Sequence, residues 1–272
     1  MRKGNEPMPQ ETAKIRYNRI VKNGYHKIGL TCDPAYAAAD AGQFVTLKIE
    51  GRMDPLLRRP FSIHRIIRDE DHVIGIDILY RVVGGFTEQL SEMKDNEPID
   101  LLGPLGRGFT VSADFRNPAL IAGGIGVAPI VCLAESLDEI GINLSGAPVF
   151  LGGQTGADIL CETDFAELGM DPHITTEDGG YGEKGLITEP FKKWLDTRKP
   201  DIIYACGPPG MLRAVSEIAR AHDIRCEVSI ETVMACGLGI CMGCAVKTKD
   251  SADGYRHICK DGPVFDAATV IF

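Results

Sequence analysis

Four of the chain's nine cysteines fall within its last segment, as Cys236-x4-Cys241-x2-Cys244 and then, after a longer gap, Cys259. Three thiolates from one loop can converge on a small inorganic centre only if the backbone wraps tightly. Gly237, Gly239 and Gly243 lie between the ligands and permit that wrap. The spacing is that of plant-type ferredoxins and predicts a [2Fe–2S] cluster, with Cys259 as the fourth ligand. A four-cysteine zinc site is the structural alternative, but such sites usually use two C-x2-C knuckles, and only Cys241 and Cys244 form one. The other five cysteines, Cys32, Cys132, Cys161, Cys206 and Cys226, stand singly and match no ligand pattern.

A second kind of chemistry is written in glycine. Gly123-Gly124-Ile125-Gly126-Val127-Ala128-Pro129 joins an apolar run to a helical pattern. Glycines let a backbone approach a pyrophosphate, and a helix N-terminus supplies N–H donors. A tight turn with no ligand is the plain alternative. A second turn, Cys206-Gly207-Pro208-Pro209-Gly210, follows another apolar run and is expected at the same sheet edge. Cys206 taken alone reads as a small buried residue.

These residues need elements to hold them. From about Thr12 to Phe109 the chain reads as β-rich, with strands expected over Gln43–Ile49 and Val73–Tyr80. Turn clusters such as Gly51–Pro55 and Gly103–Gly106 separate them, which suggests a small barrel or sandwich. From Asn117 the period changes. Strands are expected at Pro118–Ala122, Pro148–Leu151 and Ile202–Ala205, and helices near Glu189–Thr197 and Gly210–His222. A further helix should bury Ile130, Leu133, Ala134, Leu137 and Ile140 on one face and stop at Gly141, with Pro129 in its first turn. Alternating strands and helices imply a parallel sheet covered on both faces. After Ser229 there are too few apolar residues for a separate core, and so short a segment is expected to need metal or disulfide support.

The bulk numbers set bounds. The 272 residues suffice for two ordinary domains or one large one. A net charge of −9 argues against nucleic acid, whose phosphates need clustered Lys and Arg. The basic N-terminal residues, Met1 to Pro7, are followed by no apolar run, so no secretory signal is expected. With no apolar stretch long enough to span a bilayer, the expected location is the cytoplasm.

Together the motifs resemble the ferredoxin–NADP reductase superfamily, whose barrel signature R-x-Y/F-S/T matches Arg59-Pro60-Phe61-Ser62. The resemblance implies an FAD-binding β-barrel over 12–114, a nicotinamide-binding α/β domain over 115–228 and a [2Fe–2S] domain over 229–272. It implies that Arg59 contacts flavin phosphate, that Phe61 lies beside the isoalloxazine and that Ser62 hydrogen-bonds near N5. Leu79, Tyr80 and Arg81, then Gly85, Phe86 and Thr87, match the strand and loop that hold flavin and its pyrophosphate in that superfamily. Phe86 departs from the pattern, since closer relatives carry Gly there. The resemblance also assigns the dinucleotide to Gly123, Gly124, Gly126, Cys206 and Gly207.

The tail, from Glu231 through the cysteines to Asp261-Gly262-Pro263-Val264-Phe265, narrows the match to the electron-transfer subunits of dihydroorotate dehydrogenase B. That resemblance implies a catalytic partner that carries FMN and oxidises dihydroorotate in pyrimidine synthesis, two copies of each subunit forming a heterotetramer. Electrons would pass from FMN through the cluster and FAD to NAD+. NAD rather than NADP is expected because Gly152–Asp158 offers no Arg or Lys for a 2′-phosphate. No residue is expected to act as a general acid or base. Two alternatives stand beside this reading: a sulfide dehydrogenase-like or ferredoxin:NAD(P) oxidoreductase subunit, and a non-enzymatic zinc-stabilised nucleotide-binding protein.

Overall fold

The computed structural model describes residues 10–51, 54–70 and 72–272. The N-terminal stretch read for a signal, and Arg52 and Met53 of one expected turn, lie outside them.

The first seven strands are β1 (Gln10–Lys22), β2 (Tyr25–Leu30), β3 (Phe44–Lys48), β4 (Arg59–Ser62), β5 (Arg65–Asp69), β6 (His72–Arg81) and β7 (Pro98–Leu105), with helix α1 (Gly85–Glu92) between the last two. They form one antiparallel sheet in the order β4-β3-β7-β1-β2-β6-β5. Its two outer strands, β4 and β5, are joined by only Ile63 and His64, so the sheet must roll until its edges meet. That closure makes a barrel and rules out the sandwich. Ala13, Ile15, Ile28, Val45, Leu47, Ile76 and Ile78 fill it, alternating along each strand with outward residues.

The second sheet contains β8 (Pro118–Gly123), β9 (Pro148–Gly153), β10 (Asp171–Thr176), β11 (Glu183–Lys184), β12 (Ile202–Cys206) and β13 (Arg225–Ser229). Its helices are α2 (Val127–Glu139), α3 (Glu162–Glu167), α4 (Thr188–Leu195) and α5 (Pro209–Ala221). The order is β11-β10-β9-β8-β12-β13, all parallel. β8 and β12 are buried at every position, as strands covered on both faces must be.

Helix α2 differs from the amphipathic reading. Every residue from Val127 to Ala134 is buried, because the helix lies between its own sheet and the barrel strand β5. Ile140, expected on the buried face, is 45% exposed. It occupies the helix's C-terminal cap, and Gly141 beyond it takes φ +83°, which turns the chain away.

The tail contains β14 (Ala245–Lys247), β15 (Tyr255–His257), the single turn α6 (Ile258–Asp261) and β16 (Val264–Asp266). β14 and β15 pair as a hairpin, whereas β16 runs antiparallel to β13 and becomes the seventh strand of the parallel sheet. The tail therefore borrows a core. Cys244, Ile258, Cys259 and Phe265 pack with Phe44, Leu102 and Leu105 of the barrel and with the α/β residues Ile203, Ala205 and Val228.

Arg65 ties the two large units together. Its Nε lies 2.6 Å from Glu135 Oε1 on α2, and its Nη2 lies 2.7 Å from Asp164 Oδ1 on α3. Burial pushes Glu135 up to about 7, against the pull of Arg65.

Candidate functional site

A cleft of about 580 Å³ opens where barrel, parallel sheet and tail meet. The barrel contributes Arg59, Pro60, Phe61 and Ser62 from β4, Leu79, Tyr80 and Arg81 from β6, and Gly85, Phe86 and Thr87 from α1. All ten flavin residues expected from the sequence thus line one cavity. The Phe61 ring meets Tyr80 edge-on at 6.1 Å and Phe86 at 5.9 Å.

Phe86 is buried, its ring 6.0 Å beneath the Arg59 guanidinium, so the departure from the pattern serves as packing for two cleft residues. Arg59 is further held by a 2.8 Å bond from Nη1 to the Leu57 carbonyl. The Thr87 hydroxyl is committed locally: it accepts from Val83 and Gly84 N–H at 2.9 and 3.1 Å and donates to the Gly84 carbonyl. This bonding fixes the start of α1. A Cβ built on Gly84 or Gly85 would meet nothing within 4 Å, so open space stands before the helix N-terminus, where an anion is favoured. Cationic arginines, aromatic walls and an open helix start fit a dinucleotide flavin.

The other lining residues are not expected at the flavin site from their sequence. Ile125 and Ala128 come from the glycine turn and α2, and Ser229, Ile230, Glu231, Thr232 and Met234 from the chain entering the tail. Desolvation raises the Glu231 carboxyl above its ordinary value. Only the position of this segment between a strand end and the cysteine loop could have pointed to it.

The glycines of the two turns are not among the residues that line that cavity. The sheet's chain order reverses at β8, which has β9 on one side and β12 on the other. Such a switch point leaves a crevice at the carboxyl ends of its two strands, where open α/β sheets bind dinucleotides. Gly123 and Gly124 end β8, and Cys206 and Gly207 end β12, so the fold brings both predicted turns to that crevice. Their closeness demands glycine: a Cβ on Gly126 would lie 2.5 Å from the Cys206 carbonyl oxygen, and one on Gly207 2.9 Å from Gly123 N. Gly124 takes φ +52° with open space in front of it. Cys206 is fully buried, and burial pushes its thiol far above the usual range.

The tail cysteines come close in pairs, Cys244 with Cys259 and Cys236 with Cys241, and no group of three or more metal-ligating side chains is gathered among the described residues. Cys244 Sγ and Cys259 Sγ are 3.2 Å apart, and Gly239 N–H donates to Cys259 Sγ at 3.0 Å. Leu238 N–H donates to Cys236 Sγ at 3.4 Å, and this bond, with others from Ile240 and Cys241, draws the Cys236 thiol down to about 6. Burial and the Cys244 sulfur push Cys259 up to about 12. Gly237 and Gly239 take φ +69° and +77°, the left-handed turns that the wrap needs. Backbone N–H groups that donate to Cys236 and Cys259 suit thiolate ligands, and Cys236, Cys241, Cys244 and Cys259 are the residues that would hold the cluster. The remaining cysteines are different: burial raises Cys32, Cys132 and Cys161 to about 12 and Cys226 higher still, which keeps them as inert thiols.

A rolled barrel, a parallel sheet with a switch-point crevice and a cleft shared between them define a reductase of the ferredoxin–NADP reductase type. Residues 120–217 match the family described as the oxidoreductase NAD-binding domain, and residues 231–271 the iron-sulfur cluster binding domain of dihydroorotate dehydrogenase B. Among solved structures, the NADH-dependent reduced ferredoxin–NADP oxidoreductase aligns with a TM-score of 0.81 at 26% identity, over 98% of this chain and 91% of that one. A ferredoxin NADP+ reductase from Neisseria gonorrhoeae shares the fold at a TM-score of 0.65 and 16% identity, over 80% of this chain and 92% of that one. The electron transfer subunit of dihydroorotate dehydrogenase B (NAD(+)) from Desulforamulus reducens is 39% identical over 85% of this chain and 86% of its own length. The corresponding subunit from a Geobacillus species is 36% identical over 96% and 98%. The chain belongs to this family of electron transfer subunits.

Proposed function

We propose that this subunit accepts electrons from an FMN-carrying catalytic subunit that oxidises dihydroorotate, and delivers them to NAD+ in pyrimidine synthesis. The observation that carries the reading is one cleft lined by all ten expected flavin residues, with Ile125 and Ala128 beside the glycine turn and residues 229–232 on the way to the cysteine loop on its other walls. When bound, FAD supplies the exchange between one-electron transfer at a [2Fe–2S] centre and two-electron transfer at a nicotinamide.

The chain's own residues bind and orient. Arg59 and Arg81 offer positive charge to flavin phosphates, Leu79, Tyr80, Phe61 and Phe86 form apolar walls, and Pro60, Ser62, Gly85 and Thr87 shape the remaining rim. Gly123, Gly124, Gly126, Cys206 and Gly207 form the floor on which a dinucleotide pyrophosphate can lie. Cys236, Cys241, Cys244 and Cys259 hold the cluster. This divides the labour into a flavin unit at 12–114, a nicotinamide unit at 115–228 and a cluster unit at 229–272. No side chain need move a proton in catalysis.

Among the described residues no helix is long and apolar enough to cross a membrane; the proposed location is the cytoplasm. The proposed assembly is a heterotetramer of two copies of each subunit.

A second reading, a ferredoxin:NAD(P) oxidoreductase subunit, is favoured by the full-length alignment with the ferredoxin–NADP oxidoreductase structure. Anaerobic purification with native mass spectrometry separates the two. The first reading requires co-purification with an FMN protein that reduces NAD+ when given dihydroorotate. A partner that never oxidises dihydroorotate would establish the second, and a colourless chain with stoichiometric zinc would refute both.

A further inference from the structure

The turn that follows β9, residues 154–158, stands beside the dinucleotide crevice, because Gly152 of β9 pairs with Gly123 of β8. Its anchors, however, come from the barrel. Lys22, the last residue of β1, donates from Nζ to the Gly156 carbonyl at 2.6 Å and to the Ile159 carbonyl at 2.7 Å. The Tyr25 hydroxyl donates to Asp158 Oδ1 at 2.7 Å, and Arg81 Nη1 stands 3.9 Å from the same oxygen. Arg81 in turn lies over the Tyr25 ring at 5.3 Å and lines the flavin cleft.

The second oxygen of Asp158 faces its own turn. Oδ2 accepts from Thr155 N–H at 3.0 Å and from the Thr155 hydroxyl at 3.3 Å. One carboxylate is therefore divided, one oxygen serving the barrel and the other closing the turn. The Asp158 side chain is 12% exposed, whereas Arg81 opposite it is 51% exposed, so the hydrogen bonds from Tyr25 and Thr155 are its firmer contacts. A loose turn at this edge would have to be ordered each time a dinucleotide bound, and pre-ordering it removes that entropic penalty.

We infer that Asp158 is a positioning residue that holds the turn in a form receptive to the nicotinamide dinucleotide, with Lys22 and Tyr25 as its anchors on the barrel. It touches no reacting atom. The inference rests on the reading that the dinucleotide binds at the crevice between β8 and β12. It adds that affinity for the dinucleotide is set partly by three residues that need make no contact with it.

The test uses flavin- and iron-loaded full-length protein, with NADH as donor and ferricyanide as acceptor. Asp158→Asn, Tyr25→Phe and Lys22→Met are compared with wild type. Asn retains the size of the side chain but replaces one accepting oxygen with a donor, so it cannot serve both sides. Each variant should raise KM for NADH, Asp158→Asn by about five- to tenfold, with kcat within about twofold of wild type. Flavin and iron contents should remain at wild-type levels. Unchanged KM in all three variants would overturn the inference. So would a loss of kcat that tracks loss of flavin, since the network would then be a structural tie alone. Wild-type holoprotein that fails to oxidise NADH would instead refute the functional reading beneath it.

Discussion

Nδ1 of His64, in the two-residue corner that closes the barrel, lies 3.1 Å from the carbonyl of Ala128 at the start of α2. A carbonyl only accepts, so Nδ1 carries the proton, and the buried Nε2 has no hydrogen-bond partner among the described residues. Burial first, then Lys27, depresses this imidazole to about 4 from its usual 6.5. The unfolded chain therefore binds a proton that the folded chain refuses between pH 6.5 and pH 4. Stability contributed by neutral His64 should be whole above pH 6.5 and fall as pH drops towards 4, by about 3 kcal/mol at most. Thermal unfolding against pH checks this, and a slope no smaller in His64→Gln would assign the effect to other groups.

Arg65→Met should destabilise the fold by about 1–3 kcal/mol, because Glu135 and Asp164 would lose their shared partner while staying half-buried. Urea unfolding measures the loss. Adding Glu135→Gln to Arg65→Met should recover part of it, since an uncharged amide tolerates the site better.

Cys244→Ser should abolish iron and acid-labile sulfide while leaving much of the flavin in place. Cys206→Ser should retain both, because its thiol is an inert part of the sheet. Iron analysis beside the flavin spectrum distinguishes them, and full iron in Cys244→Ser would remove that residue from the ligand set.

Arg59→Ala should loosen the flavin, seen as loss of bound FAD on dilution, with the cluster retained. Equal retention by the variant and wild type would show that the guanidinium does not serve the flavin.

Gly126→Ala places a methyl group 2.5 Å from the backbone oxygen of Cys206, which cannot yield cheaply. Stability or NADH affinity should suffer strongly. Gly141→Ala, where only the positive φ is at issue and nothing lies within 4 Å, should cost about 1 kcal/mol. Equal effects of the two substitutions would contradict the close approach of the turns.

What was legible in the sequence was local. The cysteine spacing, Arg59–Ser62 and the glycine turns each encode their geometry within a few residues. The strands flanking them were legible too, because β8 and β12 are apolar throughout. Long-range encounters were not. Lys22 meets Gly156 and Ile159 across 134 and 137 residues. Glu231 enters the cleft only because the chain after β13 passes it on the way to the cluster. The full burial of α2 likewise depends on a barrel that its own sequence cannot mention, and a face-counting argument wrongly enrolled Ile140.

The antiparallel return of β16 has a consequence for handling the protein. Without Val264–Asp266 the backbone groups of β13 along that side would be left as an open template for any passing strand. Material that has lost the segment carrying β16 should therefore self-associate, and turbidity would reveal such damage.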